Sequence, residues 1–124
     1  MSKKQIKTVL WISSAKRDLM KMPAKAISDL GYAIYEAQKG NHPRIAKPLK
    51  GFSGTEVLEL VENFRGDTFR AVYTIKYHDV LIVLHAFEKK STKGISTPKK
   101  EIDLIHERLK HAKQVYEDWK KEKG

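Results

Sequence analysis

The chain has 124 residues, no cysteine and a formal net charge of +10 at pH 7. Its length suits one domain with a single modest core, and the lack of cysteine excludes disulfide scaffolds, thiolate metal sites and cysteine nucleophiles. No stretch approaches the ~20 apolar residues of a membrane helix, and the apolar patch near the N-terminus is too short and interrupted for a signal peptide. We therefore expect one cytoplasmic domain over residues 1–124, with a charge that favours polyanionic partners such as nucleic acid.

The first part of the chain predicts a strand followed by a helical hairpin. Residues 6–12 alternate in the pattern of a strand. Ser13 or Ser14 can cap a short helix that ends near Met22. Residues 23–39 carry apolar side chains at helical spacing, which predicts a second, amphipathic helix.

The second part predicts a long loop, three strands and a final helix. The loop covers residues 40–55, which are rich in glycine and proline. Strands are expected over residues 57–64, 67–77 and 80–87. The short turns between them predict an antiparallel meander, and the last strand, apolar on both faces, should lie centrally. Thr97 and Pro98 then mark the start of a long amphipathic helix, with the threonine hydroxyl as N-cap.

Basic residues cluster in the loops beside the predicted sheet. The segment from Lys39 to Lys50 holds four cations and no acidic residue, and the segment from Lys89 to Lys100 holds five lysines and no acidic residue. The strand expected over residues 57–64 is acidic by contrast. This uneven distribution suits a phosphate-binding groove better than a uniformly solvated surface.

The predicted order is β-α-α-β-β-β-α, an α+β fold in which an antiparallel sheet packs against helices. With the segments KPLKGFSG, RGDTFRAVYTIKY, VLHAFEKKS and ISTPKKEIDLIHERLK, this order resembles the RelE/ParE toxin superfamily, and within it the HigB-like phage-related branch. The resemblance covers about residues 7–118. It implies a RelE-like fold and a type II toxin that cleaves mRNA on the ribosome. It also implies a helix-turn-helix antitoxin as partner.

Arg70 is the first candidate for a catalytic role. Metal-free RNA cleavage drives the 2′-hydroxyl onto the adjacent phosphorus and needs proton transfer together with cations that stabilise the charged phosphate. Arg70 matches the arginine of the family's R-x-V-Y segment and lies mid-strand, on the face opposite Phe69 and Tyr73. Its planar guanidinium can donate two parallel hydrogen bonds to phosphate. A salt bridge to Glu59 or Glu62 is the structural alternative.

Further catalytic candidates lie around the same strands. Arg65 sits in a predicted turn, where it either reaches phosphate or stays solvated. His85, near the exit of an apolar strand, either transfers protons near neutral pH or is a hydrogen-bonded core residue. Phe87 either stacks on an RNA base or completes the core. Lys89 and Lys90 point to opposite faces, so that one of them can enter a groove.

Three loop lysines are candidate RNA contacts, namely Lys47, Lys50 and Lys93. Such contacts position a protein on RNA without reading its sequence. The five histidines show no metal-ligand spacing, so no metal ion or other cofactor is expected.

Three functions remain open at this point. The leading hypothesis is a ribosome-dependent mRNA endonuclease, favoured by arginine, histidine and lysine residues that cluster around one sheet. The alternatives are a non-enzymatic, ParE-like inhibitor of DNA gyrase and a phage-derived nucleic-acid-binding protein without toxicity. Fold membership alone does not decide among them.

Overall fold

The computed structural model describes residues 5–52, 56–90 and 97–124. The described helices and strands are β1 (Thr8–Trp11), α1 (Ala15–Met20), α2 (Ala24–Gln38), β2 (Ala46–Pro48), β3 (Val57–Phe64), β4 (Asp67–Thr74), β5 (Val80–Lys89) and α3 (Lys99–Lys123). The strands form a five-stranded sheet in the order β1-β5-β4-β3-β2. β1 runs parallel to β5, and the other neighbouring strands are antiparallel.

The helical hairpin of α1 and α2 covers one face of the sheet. Helix α2 buries residues spaced i, i+4, i+7 and i+11, which lie on one side of a helix. These are Ala26, Leu30, Ala33 and Ala37. They pack in one cluster with Phe69 and Tyr73 of β4. Burial raises the pKa of Tyr73 to about 12, so its hydroxyl stays protonated inside this core.

Helix α3 covers the opposite face, so the sheet is the middle layer of three. Its apolar stripe has the spacing of the predicted amphipathic helix, and all its members belong to the second core cluster: Ile102, Ile105, Leu109, Ala112, Tyr116 and Trp119. Val72 of β4 packs in the same cluster, whereas Ala71 and Tyr73 pack with the hairpin. Because side chains alternate along β4, Arg70 shares the α3 face with Val72.

A β-bulge in β5 changes which residues face α3. Val72 pairs with His85 and Tyr73 pairs with Val83, so Leu84 is the extra residue of β5. Leu84 packs in the α3 cluster, and His85 also contacts α3 side chains. Strict alternation would have turned His85 toward the hairpin, so the bulge places its ring on the α3 face.

The α+β class, the helical hairpin and the burial of the apolar strand on both faces are confirmed. The prediction of an unbroken loop over residues 40–55 is wrong, because β2 forms there and pairs with β3. This strand escaped detection because it has three residues and ends in Pro48, which cannot donate a ladder hydrogen bond. The parallel β1 also makes the sheet mixed, which the sequence pattern did not indicate.

The fourth strand is shorter than predicted, ending at Thr74 and not at Tyr77. The hydroxyl of Thr74 accepts a hydrogen bond from the backbone N–H of Lys76 at 3.1 Å. Such a local bond competes with the sheet ladder and starts a turn. The alternating pattern of the sequence therefore continues for three residues beyond the end of the strand, and for this reason the predicted strand was too long.

The β3–β4 turn has two consecutive residues with positive φ, Arg65 at 53° and Gly66 at 86°. Gly66→Ala is expected to lower the free energy of unfolding by about 1 kcal/mol, because a Cβ disfavours the left-handed region. Gly31→Ala is the control, since Gly31 lies exposed inside α2 with no atom within 4 Å of an added Cβ. That change should stabilise the protein by about 0.5–1 kcal/mol. Urea unfolding would measure both, and effects of the same sign would contradict this account of the turn.

Candidate functional site

Arg70 is buried on the α3 face and forms an ion pair with Glu59 of β3. Arg70 Nη1 lies 3.0 Å from Glu59 Oε1, and the two side chains are 3% and 1% exposed. Thr97 completes the group: its Oγ1 donates to Glu59 Oε2 at 2.7 Å and accepts from Arg70 Nη1 at 3.3 Å. The salt bridge that the sequence left open is therefore present. It joins two strands to the residue that leads into α3.

The predicted N-cap role of Thr97 is wrong. Helix α3 begins at Lys99, with Pro98 in the N-cap position and no side-chain cap hydrogen bond. The hydroxyl of Thr97 bonds Glu59 instead. Water cannot reach a buried carboxylate to replace a lost hydrogen-bond partner, whereas it can bind the N–H groups of an exposed helix end. The hydroxyl therefore contributes more by bonding Glu59 than by capping the helix.

His85 is held between two charged residues of α3. Its Nε2 lies 2.7 Å from Glu101 Oε1, and its Nδ1 lies 3.2 Å from Arg108 Nη1. Arginine can only donate, so Nδ1 accepts and the proton of the neutral ring is on Nε2, which donates to Glu101. Arg108 also donates to the carbonyl of Leu84 at 3.0 Å and to Ser14 Oγ at 3.2 Å. This network connects α3 with β5 and with the residue preceding α1.

Burial sets the protonation state of His85. Desolvation lowers the pKa of His85 below its ordinary value of 6.5, and the charge of Arg108 acts in the same direction. The hydrogen bond and charge of Glu101 oppose this shift, as does the charge of Asp18. The downward direction prevails, so the ring is neutral at pH 7.

His85 and Glu101 open onto a surface groove that we call the α1 groove. Its first part, about 290 Å³, is lined by Asp18, Lys21, Met22, His85, Ala86, Phe87, Glu88 and Glu101. Its second part, about 470 Å³, extends to the β3–β4 turn and is lined by Lys21, Met22, Pro23, Phe64, Arg65, Asp67, Phe69, Glu88 and Lys90. The two parts adjoin at Lys21, Met22 and Glu88. The groove therefore has a His–Glu pair at one end, and its other charged lining residues are three cations, Lys21, Arg65 and Lys90, and three carboxylates, Asp18, Asp67 and Glu88.

Two of the predicted cations lie in the second part of this groove. Arg65 is exposed, with its guanidinium carbon 5.1 Å from the centre of the Phe64 ring. Lys90 is 78% exposed and lies 2.9 Å from Glu88 and 3.9 Å from Asp67. Of the predicted lysine pair, it is Lys90 that lines the groove.

Phe87 and Lys89 lie on the α3 face of β5. The ring of Phe87 stacks on His85 with centroids 4.9 Å apart, and 9% of the residue is exposed. It belongs to the α3 core cluster and also lines the groove. Lys89 is half-buried and pairs across the sheet with Thr68.

The remaining predicted contacts lie elsewhere. Lys47 and Lys50 are exposed beside a separate cavity of about 210 Å³, which Glu59, Thr97 and Ile102 also line. The structure therefore does not bring these two lysines into the α1 groove. Lys93 lies outside the described residues.

Sequence reasoning missed Glu101 and Arg108, although a signal was present. They are seven residues apart and lie on the same side of α3 as the buried Ile105 and Ala112. Charged residues in phase with an apolar stripe reach the sheet and need polar partners there. The single histidine of an apolar strand, His85, is such a partner.

Among the described residues, no group of three or more histidine, aspartate or glutamate side chains is arranged to hold a metal ion. Within the same ranges, no helix has the length and apolar character needed to cross a membrane.

Arg70→Ala is expected to lower the free energy of unfolding by about 3–5 kcal/mol, because Glu59 would stay buried without its ionic partner. The double variant Arg70→Met with Glu59→Leu removes both charges and should recover most of that loss. Urea denaturation of the wild type, the single variants Arg70→Met and Glu59→Leu, and the double variant would measure the coupling energy between the two side chains. Additive losses would show that the two side chains do not act as a pair.

The lowered pKa of His85 predicts acid sensitivity. The unfolded chain binds a proton near pH 6.5, whereas the folded protein resists protonation until a lower pH. The contribution of His85 to stability is therefore complete above pH 6.5 and is lost as pH falls toward the folded-state pKa. Melting temperatures between about pH 7.5 and 5.5 should fall less in His85→Gln than in wild type. The exposed His111→Gln should follow wild type, and equal slopes in all three proteins would contradict the prediction.

The sequence matches the family model of phage derived Gp49-like proteins (DUF891) over residues 17–110. That range includes Lys21, Arg65, His85, Lys90 and Glu101. One chain in the crystal structure of the toxin-antitoxin complex RelBE2 from Mycobacterium tuberculosis is also similar, with 22% identity and a TM-score of 0.47, over 74% of this chain and 100% of that one. No curated protein shows significant similarity. The chain belongs to the Gp49-like family of phage-derived proteins, in agreement with its motif resemblance to the phage-related branch of the RelE/ParE superfamily.

Proposed function

We propose that this protein is the toxin of a type II toxin–antitoxin pair and cleaves mRNA on the ribosome without a metal ion. One observation carries the proposal: the His85–Glu101 pair opens onto the α1 groove, whose other lining residues include Lys21, Arg65 and Lys90. Proton transfer and phosphate binding are thus available along one surface. Family membership supports the toxin role, and the net charge of +10 supports an RNA substrate. The part of the proposal that concerns the ribosome rests on the resemblance to the HigB-like branch.

Glu101 is the proton acceptor of this proposal. Both nitrogens of His85 are engaged, one by Arg108 and the other in donating to Glu101, so the ring orients the carboxylate. Glu101 takes the proton of the RNA 2′-hydroxyl as the 2′-oxygen bonds to phosphorus. The 5′-oxygen leaves from the opposite side, so a different group must protonate it. We assign that step to Lys21, because it lines both parts of the groove.

The cations of the groove hold the phosphate. Arg65 and Lys90 lie at its exposed end, where they stabilise the extra negative charge of the transition state. Arg70 acts as a positioning residue: through Thr97 it fixes the segment four residues before Glu101. Lys47, Lys50 and Lys93 remain candidate contacts to ribosomal RNA outside the groove.

The partner in this proposal is a helix-turn-helix antitoxin, as the HigB-like motifs imply. A helix with acidic side chains that enters the α1 groove would bind Lys21, Arg65 and Lys90 and exclude RNA. Inhibition would then follow from competition for the same cations.

Glu101→Gln is expected to reduce RNA cleavage by about 10²–10⁴-fold, because the amide cannot accept the proton while its oxygen still accepts from His85. The test is brief induction in bacteria with mapping of new 5′ ends on cellular mRNAs. Wild type should produce cuts within translated regions, and the variant should not.

Glu107→Gln is the matched control, since Glu107 is exposed on the same helix. It should cleave like wild type. Undiminished cutting by a folded Glu101→Gln protein would exclude Glu101 as the proton acceptor. Growth arrest without new 5′ ends would point to gyrase inhibition, and no arrest would leave a binding role.

A further inference from the structure

Three aromatic rings stack between the β4–β5 connection and the last turns of α3. Tyr77 and Tyr116 lie with ring centroids 4.1 Å apart and an interplanar angle of 21°. Trp119 continues the series, 6.1 Å from Tyr116 at 23°. The hydroxyl of Tyr116 donates to Asp79 Oδ1 at 2.8 Å, which fixes the middle ring. The outer members, Tyr77 and Trp119, are half-buried and so keep part of their surface in solvent.

Each ring has an exposed lysine over it. The Nζ atoms lie 5.9 Å from the ring centroid for Lys76 on Tyr77, 5.4 Å for Lys120 on Tyr116 and 5.9 Å for Lys123 on Trp119. We call these six residues the aromatic–lysine cluster. Within the described parts of the chain, none of the three lysines has a carboxylate oxygen within 4.0 Å. Their charges are therefore not neutralised by an ion pair there.

Two of the three acidic residues at this end of α3, Asp118 and Glu122, point away from the cluster, and the third, Glu117, lies about a quarter turn from Tyr116. Lys120 and Lys123 lie four and seven residues after Tyr116 and share its side of the helix. Asp118 and Glu122 lie two and six residues after it, on the opposite side. Asp118 accepts instead from Gln114 at 2.9 Å. The helix thus presents cations and aromatic rings together on one surface.

The cluster is remote from the α1 groove. Tyr116 lies 15 residues after Glu101 along α3, which corresponds to about 22 Å of helix. Lys76 and Tyr77 follow the C-terminal end of β4, whereas Arg65 precedes its N-terminal end. The two surfaces therefore lie at opposite ends of the sheet.

We propose that the aromatic–lysine cluster is a second binding surface, and that it binds single-stranded RNA without sequence preference. Stacked aromatic rings with neighbouring cations suit a single-stranded nucleic acid, because its bases are flat and its phosphates are regularly spaced. A base stacks on Trp119 or Tyr77 in place of the lysine side chain that lies over that ring, and the displaced lysine contacts a flanking phosphate. An acidic protein segment would use the lysines and leave the aromatic faces unmatched. This surface functions whether or not the α1 groove cleaves RNA.

The test uses the full chain and a 2′-O-methyl oligouridine, which has no free 2′-hydroxyl and cannot be cleaved by the proposed reaction. The protein has two tryptophans, Trp11 and Trp119, so Trp11→Phe makes Trp119 the sole indole reporter. Binding should quench its fluorescence. The triple variant Lys76→Gln, Lys120→Gln and Lys123→Gln should bind at least tenfold more weakly. Its slope of log affinity against log salt should decrease by about 2, at about 0.7 per phosphate contact.

A second triple variant controls for the loss of three charges. Lys25, Lys39 and Lys99 are already paired with Asp29, Glu36 and Asp103 at 2.8, 2.8 and 3.0 Å. Their replacement by glutamine should change affinity and slope much less. Equal losses in both triple variants, or saturable binding that leaves Trp119 emission unchanged, would overturn the proposal. Quenching of Trp119 reports binding at this surface and new 5′ ends report cleavage in the α1 groove, so failure of cleavage and failure of this surface are separable.

Discussion

The buried ion pair between Arg70 and Glu59 is the interaction on which the placement of α3 depends. Charges this deeply buried lose their hydration, and only close partners compensate for that loss. Glu59 obtains two, Arg70 from the next strand and Thr97 from the segment before α3. The carboxylate therefore fixes where the chain must return to the sheet. Helix α3 starts two residues later, at Lys99, and its register over the sheet follows from that position.

The register of α3 brings together groups that are far apart in sequence. Glu101, in the first turn, reaches His85, and Arg108, two turns later, reaches the other nitrogen of the same ring. Near the far end of the helix, Tyr116 meets Tyr77. A shift of α3 by one residue would rotate these side chains by about 100° and separate each pair. One helix thus builds both the His85–Glu101 pair and the aromatic–lysine cluster.

The long periodic elements could be predicted from the sequence, and the site largely could not. The stripe of α3 and the apolar run of β5 carry many residues in phase, so each pattern outweighs single exceptions. The β-bulge at Leu84 has no such signal, yet it decides that His85 faces α3. Arg70 could be placed on the correct face by alternation, but its burial against Glu59 depends on the pairing of β3 with β4. The contacts of Glu101 and Arg108 with His85 could not be predicted without both the register of α3 and the β-bulge.

The acidic residues decide which of the many cations remain available to an anionic ligand. Arg70 is committed to Glu59, and Lys25, Lys39 and Lys99 are each paired with a carboxylate within 3.0 Å. Lys90 is paired too, but it is 78% exposed, so a phosphate can compete with Glu88 for it at little cost. Lys76, Lys120 and Lys123 contact aromatic rings, which leave the charge of an ammonium group in place. The net charge of +10 therefore does not act evenly over this protein: some cations are committed to carboxylates, and the lysines of the aromatic–lysine cluster keep their charge beside aromatic rings.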